Sequence, residues 1–305
     1  MEEKQGEPIT FLGSNGVELS GRAFMPDAYL KEVDGGFIHT IPFGSIYFVH
    51  GLSGRWVDYK PLLLPLSDEF NVFAYDQRGH GMSRGVYSPQ KAADDLETIV
   101  ERDAGSVGIV GHSIGCHTAV EVAKRFEAKG RPLKGIYLLE PCLGIDSFTP
   151  GKQKVFNILH ALYALCAPFD ALLTVLPFAR HLLGLHQVLP LYTTASLSQI
   201  SSRDCEGLQS TAVGYMLANN DGLLGTNNQD HYFACMARLR ELFSWRPGFR
   251  GVPIPYDNSD AAEGLNHCFN YKGQVPFLKD EKDKKSAKIV EKIVNFFEGV
   301  FGKVE

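Results

Sequence analysis

The chain has 305 residues, 44% hydrophobic and 21% charged, with 30 Lys and Arg against 35 Asp and Glu. This average composition excludes disorder, collagen and a coiled-coil rod, and the net charge of −5 leaves no basic face for a phosphate backbone, so nucleic acid is not an expected partner. At about 150 residues per domain, the length calls for one large domain or a core that carries an insertion.

The opening residues, Met1 to Gly6, are acidic and polar, so no signal peptide is visible. The six cysteines, Cys116, Cys142, Cys166, Cys205, Cys235 and Cys268, stand singly without a C-x-x-C pair. That fits neither a zinc site nor a disulfide scaffold, and a reducing, cytoplasmic setting is expected.

Along the first 150 residues, short apolar runs alternate with helical patterns. Val17 to Met25, Ser45 to Val49, Phe70 to Tyr75, Ser106 to Val110 and Leu133 to Leu139 read as strands. Most are bounded by Gly and polar residues, as in a parallel sheet buried on both faces. Ser88 to Ala104 and His117 to Lys129 read as helices, which makes the class α/β.

From Gly144 the texture changes. Val155 to Ile200 holds only two charged residues, Asp170 and Arg180, and is broken by Pro168, Pro177 and Pro190. No unbroken apolar run there reaches the roughly 18 residues of a membrane span, so the stretch is expected to be an inserted helical lid. Helices are predicted over His231 to Phe243 and over Lys282 to Phe301. In the second, Ile289, Val290, Ile293, Val294, Phe296, Phe297, Val300 and Phe301 fall at helical spacing. The expected division is a core over 1–144 and 239–305 with a helical cap over 145–238.

The sharpest motif is Gly111-His112-Ser113-Ile114-Gly115, after a strand and before a helix. G-x-S-x-G in that setting makes a nucleophile elbow, because the tight turn needs the glycines and lifts the serine hydroxyl above the sheet. Upstream, His50-Gly51-Leu52-Ser53-Gly54 ends another strand, where a glycine-rich turn can aim a backbone N–H at the same place. The Leu52 and Ile114 N–H groups are the candidate oxyanion donors. Asp76-Gln77-Arg78-Gly79-His80-Gly81-Met82-Ser83 ends the next strand, with Asp76 and Arg78 expected to brace loops. His50 and His112 are expected to hydrogen-bond loops.

On these three segments, in this order, the chain resembles the α/β-hydrolase superfamily, in particular its esterases, lipases and monoglyceride-lipase-like members. The resemblance implies an α/β-hydrolase fold with a mostly parallel sheet and an inserted cap. It also implies a triad in the chain order nucleophile, acid, histidine. Ser113 is the candidate nucleophile. Among ten histidines, His267 in Gly264-Leu265-Asn266-His267 sits in a loop before the last helix and is the candidate base.

The acid departs from the family pattern. Val252 to Tyr256 reads as the strand before it and is followed at once by Asp257 and Asp260, only seven residues before His267. A helix and a strand therefore look missing, and the C-terminal part of the sheet looks shortened. Three carboxylates stay open: Asp260, Glu140 at the end of the preceding strand, and Asp257. Phe156, Leu159 and Tyr163 in the lid are candidate acyl-pocket residues, and so apolar a lid is expected to meet substrate or a lipid surface.

The expected function is a serine hydrolase that cleaves carboxylic esters of an apolar acyl group, monoacylglycerol or lysolipid among them. It needs no metal or organic cofactor. Thioesterase, amidase and C–C hydrolase chemistry share the triad and stay open, and so does a non-catalytic binder on the same fold. Dehalogenases and epoxide hydrolases normally use an Asp nucleophile, so Ser113 argues against both.

Overall fold

A computed structural model describes residues 6–26, 30–33, 36–39, 44–52, 54–85, 87–144, 147–154, 157–158, 207–243, 256–257 and 284–302. Strands β1 (Glu7–Leu12) and β2 (Glu18–Phe24) form a hairpin, and β3 (Leu30–Val33) and β4 (Gly36–His39) pair separately. Then come β5 (Ser45–Val49), α1 (Lys60–Leu66), β6 (Asn71–Tyr75), α2 (Pro89–Val100), β7 (Val107–His112), α3 (Gly115–Ala128) and β8 (Gly135–Leu139). The described elements end with β9 (Ala212–Met216), α4 (Gln229–Phe243), β10 (Tyr256–Asp257) and α5 (Lys284–Phe301).

The main sheet has eight strands in the order β1-β2-β6-β5-β7-β8-β9-β10. Strand β2 runs antiparallel to β1 and β6, and every other pairing is parallel. Alternation along the strands divides the core in two. Tyr47, Val49, Ile109, Ile136, Leu138, Val213 and Tyr215 point to the side that α2, α3 and α4 cover. Ile46, Phe48, Val110, Tyr137, Leu139 and Met216 point to the other side, where α1 and α5 lie. Such two-sided burial explains why β5, β7 and β8 read as continuous apolar runs.

Local signals set the helices. Ser88 caps α2, its hydroxyl accepting the Lys91 N–H at 3.2 Å, and Pro89 follows in the first turn, where no amide hydrogen is needed. In α5, Ile289, Ile293, Phe297 and Val300 form the stripe buried on the sheet. A methyl group on Gly108 of β7 would run into the Phe297 ring, so that glycine lets the helix sit close.

The sheet is not shortened. Strand β9 lies between β8 and β10, and α4 follows it, so the strand and helix that the sequence lacked are present within 207–243. Val213, Tyr215, Leu217, Leu224, Met236, Leu239 and Leu242 belong to the same buried cluster as β7 and α3. Of the run Val252 to Tyr256 the described residue, Tyr256, lies in β10, and Asp257 lies within that strand, opposite Tyr215, rather than in a loop after it. Most of the expected lid falls outside the described residues. No described helix is long and apolar enough to cross a membrane.

Candidate active site

Ser113 sits between β7 and α3 with φ of 54°. A side chain in this left-handed region costs roughly 1–2 kcal/mol, and the surroundings hold it there. Its N–H donates to the Leu139 carbonyl at 2.8 Å, and its carbonyl accepts the N–H of Cys116 at 3.0 Å and of Cys142 at 3.3 Å. The flanking glycines are required by space. A methyl group on Gly111 would meet the Gly115 carbonyl oxygen at 2.7 Å, and one on Gly115 would strike the carbonyl oxygens of Val49 and His50. The elbow expected from the sequence is therefore formed, with the N-terminus of α3 directly behind it.

The turn after β5 is packed against this serine. A methyl group on Gly51 would lie 2.8 Å from His112 Nδ1 and 3.0 Å from Ser113 Cβ, so Leu52 follows a residue packed against the Ser113 turn. One hydroxyl ties the two segments together. Tyr59 accepts the Gly51 N–H at 3.1 Å and shares a 2.8 Å hydrogen bond with His112 Nδ1.

Both loop histidines brace loops, as expected. His50 donates from Nδ1 to the Gly51 carbonyl at 2.7 Å and accepts the Gln77 N–H on Nε2 at 2.8 Å, which fixes its tautomer. Full burial and the nearby His80 ring hold its imidazole well below the ordinary histidine range, hence neutral.

Asp76 and Arg78 also brace loops. Asp76 accepts the N–H groups of Trp56 and Met82, both at 2.9 Å. Burial raises its carboxyl from the usual value, and these two donors oppose the rise. Arg78 forms a fork with Asp95, from Nε to Oδ2 at 2.9 Å and from Nη2 to Oδ1 at 2.5 Å.

The loop after β9 supplies a carboxylate that the sequence reading passed over. Asp221 is fully buried, and its Oδ1 accepts the N–H of Leu223 at 2.6 Å and of Leu224 at 3.2 Å. Its own N–H donates to Thr226 Oγ, which in turn donates to the Ala218 carbonyl at 2.6 Å. The signal was Ala212 to Ala218 ending in Asn219-Asn220-Asp221-Gly222, an apolar run closed by a turn. It lay inside a segment assigned to the cap.

Glu140, at the end of β8, is fully buried with φ of 49°. Its Oε1 accepts the N–H of Ala218, three residues before Asp221. Burial, with Asp221 beside it, pushes the Glu140 carboxyl well above the ordinary range. The sequence-predicted His267, Asp260, Phe156, Leu159 and Tyr163 lie outside the described residues. Pro141, Leu143, Leu217, Leu224, Leu239 and Leu242 contribute to a largely apolar cavity of about 110 Å³ that His231 and Arg238 also line.

This strand order, elbow and turn are those of one fold, and the comparisons agree. The model of the alpha/beta hydrolase family matches residues 46–289, and the chain belongs to that family. Among curated proteins, the 2-(acetamidomethylene)succinate hydrolase of Mesorhizobium japonicum is 36% identical over 83 residues. That stretch is 26% of this chain and spans only 30% of the relative's length. Among solved structures, a thermophilic esterase from Thermogutta terrifontis aligns with a TM-score of 0.60 at 14% identity, covering 97% of this chain and 100% of that one. The N-formylmaleamic acid deformylase of Pseudomonas putida S16 gives 0.56 at 15% identity over 93% and 100%. At such identities these two likenesses speak for the fold.

Proposed function

We propose that the protein is a serine hydrolase that cleaves carboxylic esters of an apolar acyl group through an acyl-enzyme. The observation that carries this reading is the formed elbow, with Ser113 held at positive φ at the head of α3 and the Gly51 turn packed against it. In this reading Ser113 attacks the carbonyl, and His267 takes its proton and then passes it to the leaving group. The N–H groups of Leu52 and Ile114 receive the oxyanion. Asp221 replaces Asp260, Glu140 and Asp257 as the preferred acid. It follows the strand next to β8, and two backbone donors favour its charged form, which orients and stabilises an imidazolium. The largely apolar cavity lined from the segments after β8 and β9 supports an apolar acyl group.

Amide hydrolysis is the second reading, favoured by the names of the Mesorhizobium hydrolase and the Pseudomonas deformylase. The decisive experiment is labelling with a fluorophosphonate probe, followed by turnover of p-nitrophenyl esters and matched anilides. Covalent modification at Ser113, absent in Ser113→Ala, together with ester turnover supports the proposal. A folded wild-type protein that stays unlabelled refutes it in favour of a binder.

A further inference from the structure

The alpha/beta sheet offers two places for an acid, after β8 and after β9, and this chain fills both. Glu140 ends the first strand and Asp221 lies in the loop after the second, and both are completely buried. Ala218, whose N–H reaches Glu140 Oε1, has its carbonyl bonded to the Thr226 hydroxyl that takes the Asp221 N–H, so both carboxyls belong to one enclosed corner. Two ionised carboxylates enclosed together have no hydrogen to share and repel. Among the described residues, no N–H or O–H donor reaches Glu140 Oε2, although the atom is shut away from solvent. A buried anionic oxygen left in that state is costly, whereas a neutral carboxylic acid has a proton to donate from it.

The backbone decides which of the two keeps the proton. Asp221 Oδ1 receives two N–H groups, from Leu223 and Leu224, which stabilise a negative charge. Glu140 receives one, from Ala218. Among the described residues, Cys235 of α4 is the other titratable group that reaches Glu140, and it also disfavours a charge there. No described cation is among the groups that act on it.

We propose that Glu140 is a neutral carboxylic acid that donates its proton in a hydrogen bond to Asp221, so that the two residues form one singly charged unit with Glu140 positioning the acid of the triad. Glu140 does not touch substrate in this arrangement. It fixes the rotamer of Asp221 and leaves that carboxylate's remaining lone pairs for the imidazole. The left-handed backbone at Glu140 is part of the device, since it turns the side chain from the strand end toward the neighbouring loop.

The inference rests on the proposed hydrolase chemistry for its kinetic arm alone. In that arm, Glu140→Ala should lower kcat by about 10- to 100-fold with KM little changed, the scale expected when a reacting group is misplaced. Glu140→Gln should rescue at least tenfold of that loss, because its amide N–H donates to Asp221 and its oxygen still accepts from Ala218. Asp221→Asn should lose about 10⁴-fold. The wild type should lose activity at alkaline pH as Glu140 ionises, and Glu140→Gln should not.

The second arm needs no turnover. The infrared difference spectrum between wild type and Glu140→Gln at pH 7 should contain the carbonyl stretch of a protonated carboxylic acid. Absence of that band overturns the inference, whatever the enzyme does. So does a Glu140→Gln variant as inactive as Glu140→Ala, which would make Glu140 the ionised acid. If Ser113 proves unreactive while the band is present, the hydrolase reading fails and the shared proton stands.

Discussion

Replacing Asp95 with Ala while leaving Arg78 in place would strand a guanidinium under the loop that follows β6. The side chains are 9% and 1% exposed, and the pair is held by two N–H···O bonds, with Ser14 N and Oγ each adding a bond to Asp95 Oδ1 at 2.8 Å. Removing one member of such a buried pair costs about 3–5 kcal/mol, most of it the penalty for the uncompensated charge. With an unfolding entropy of about 2.1 cal/mol/K per residue, the 305 residues give about 0.64 kcal/mol/K. The expected fall in Tm is therefore about 5–8 °C, to be measured by calorimetry and by urea titration at constant pH. The double variant Arg78→Met, Asp95→Leu should recover most of the loss, because neither charge then remains. A loss below about 1 kcal/mol in Asp95→Ala, or a double variant that merely sums the singles, would refute the reasoning.

Tyr59→Phe should lower kcat about tenfold with little change in KM, since Gly51 and His112 lose their shared hydroxyl while the fold is kept; steady-state kinetics on one ester checks this. Gly115→Ala should cost at least about 1–3 kcal/mol through overpacking, whereas Gly151→Ala, which meets nothing within 4 Å, should be near neutral in the same urea titration. Unfolding titrations across pH should show two opposite slopes. His50 stays neutral in the fold, so below about 6.5 the unfolded chain binds the extra proton and stability falls with falling pH, at up to about 1.4 kcal/mol per unit. Glu140 keeps a proton that the unfolded chain releases above about 4.5, so its contribution is lost as pH rises from there toward the folded-state value. Glu140→Gln should therefore be more stable than wild type at pH 8, and an unchanged or lower urea midpoint would contradict a protonated Glu140.

The parallel centre was legible because β5, β7 and β8 are buried on both faces and so carry unbroken apolar runs. The elbow was legible because only glycine fits at 111 and 115. Helix α1 escaped because Pro61 and Pro65 mask its pattern, and β1 because most of its residues are exposed or half-buried. Strand β9 escaped for another reason. Its five buried residues include Gly214 and follow a long apolar stretch, so composition alone ran it into the cap. Without β9, Asp221 does not read as a strand-end carboxylate, and the candidates left are Asp260, Glu140 and Asp257.

The division of the core into two faces bears on how the chain is made. The face that holds α2, α3 and α4 can be assembled from residues that precede position 244, but the opposite face depends on α5, which supplies Ile289, Ile293, Phe297 and Val300. Until residues 284–301 have been synthesised, this face has α1 but not α5, and the part that α5 covers, Tyr137 among it, is an apolar surface open to wrong partners. A nascent chain at that stage is a natural client for a chaperone, and removing α5 should yield aggregate rather than a smaller folded core.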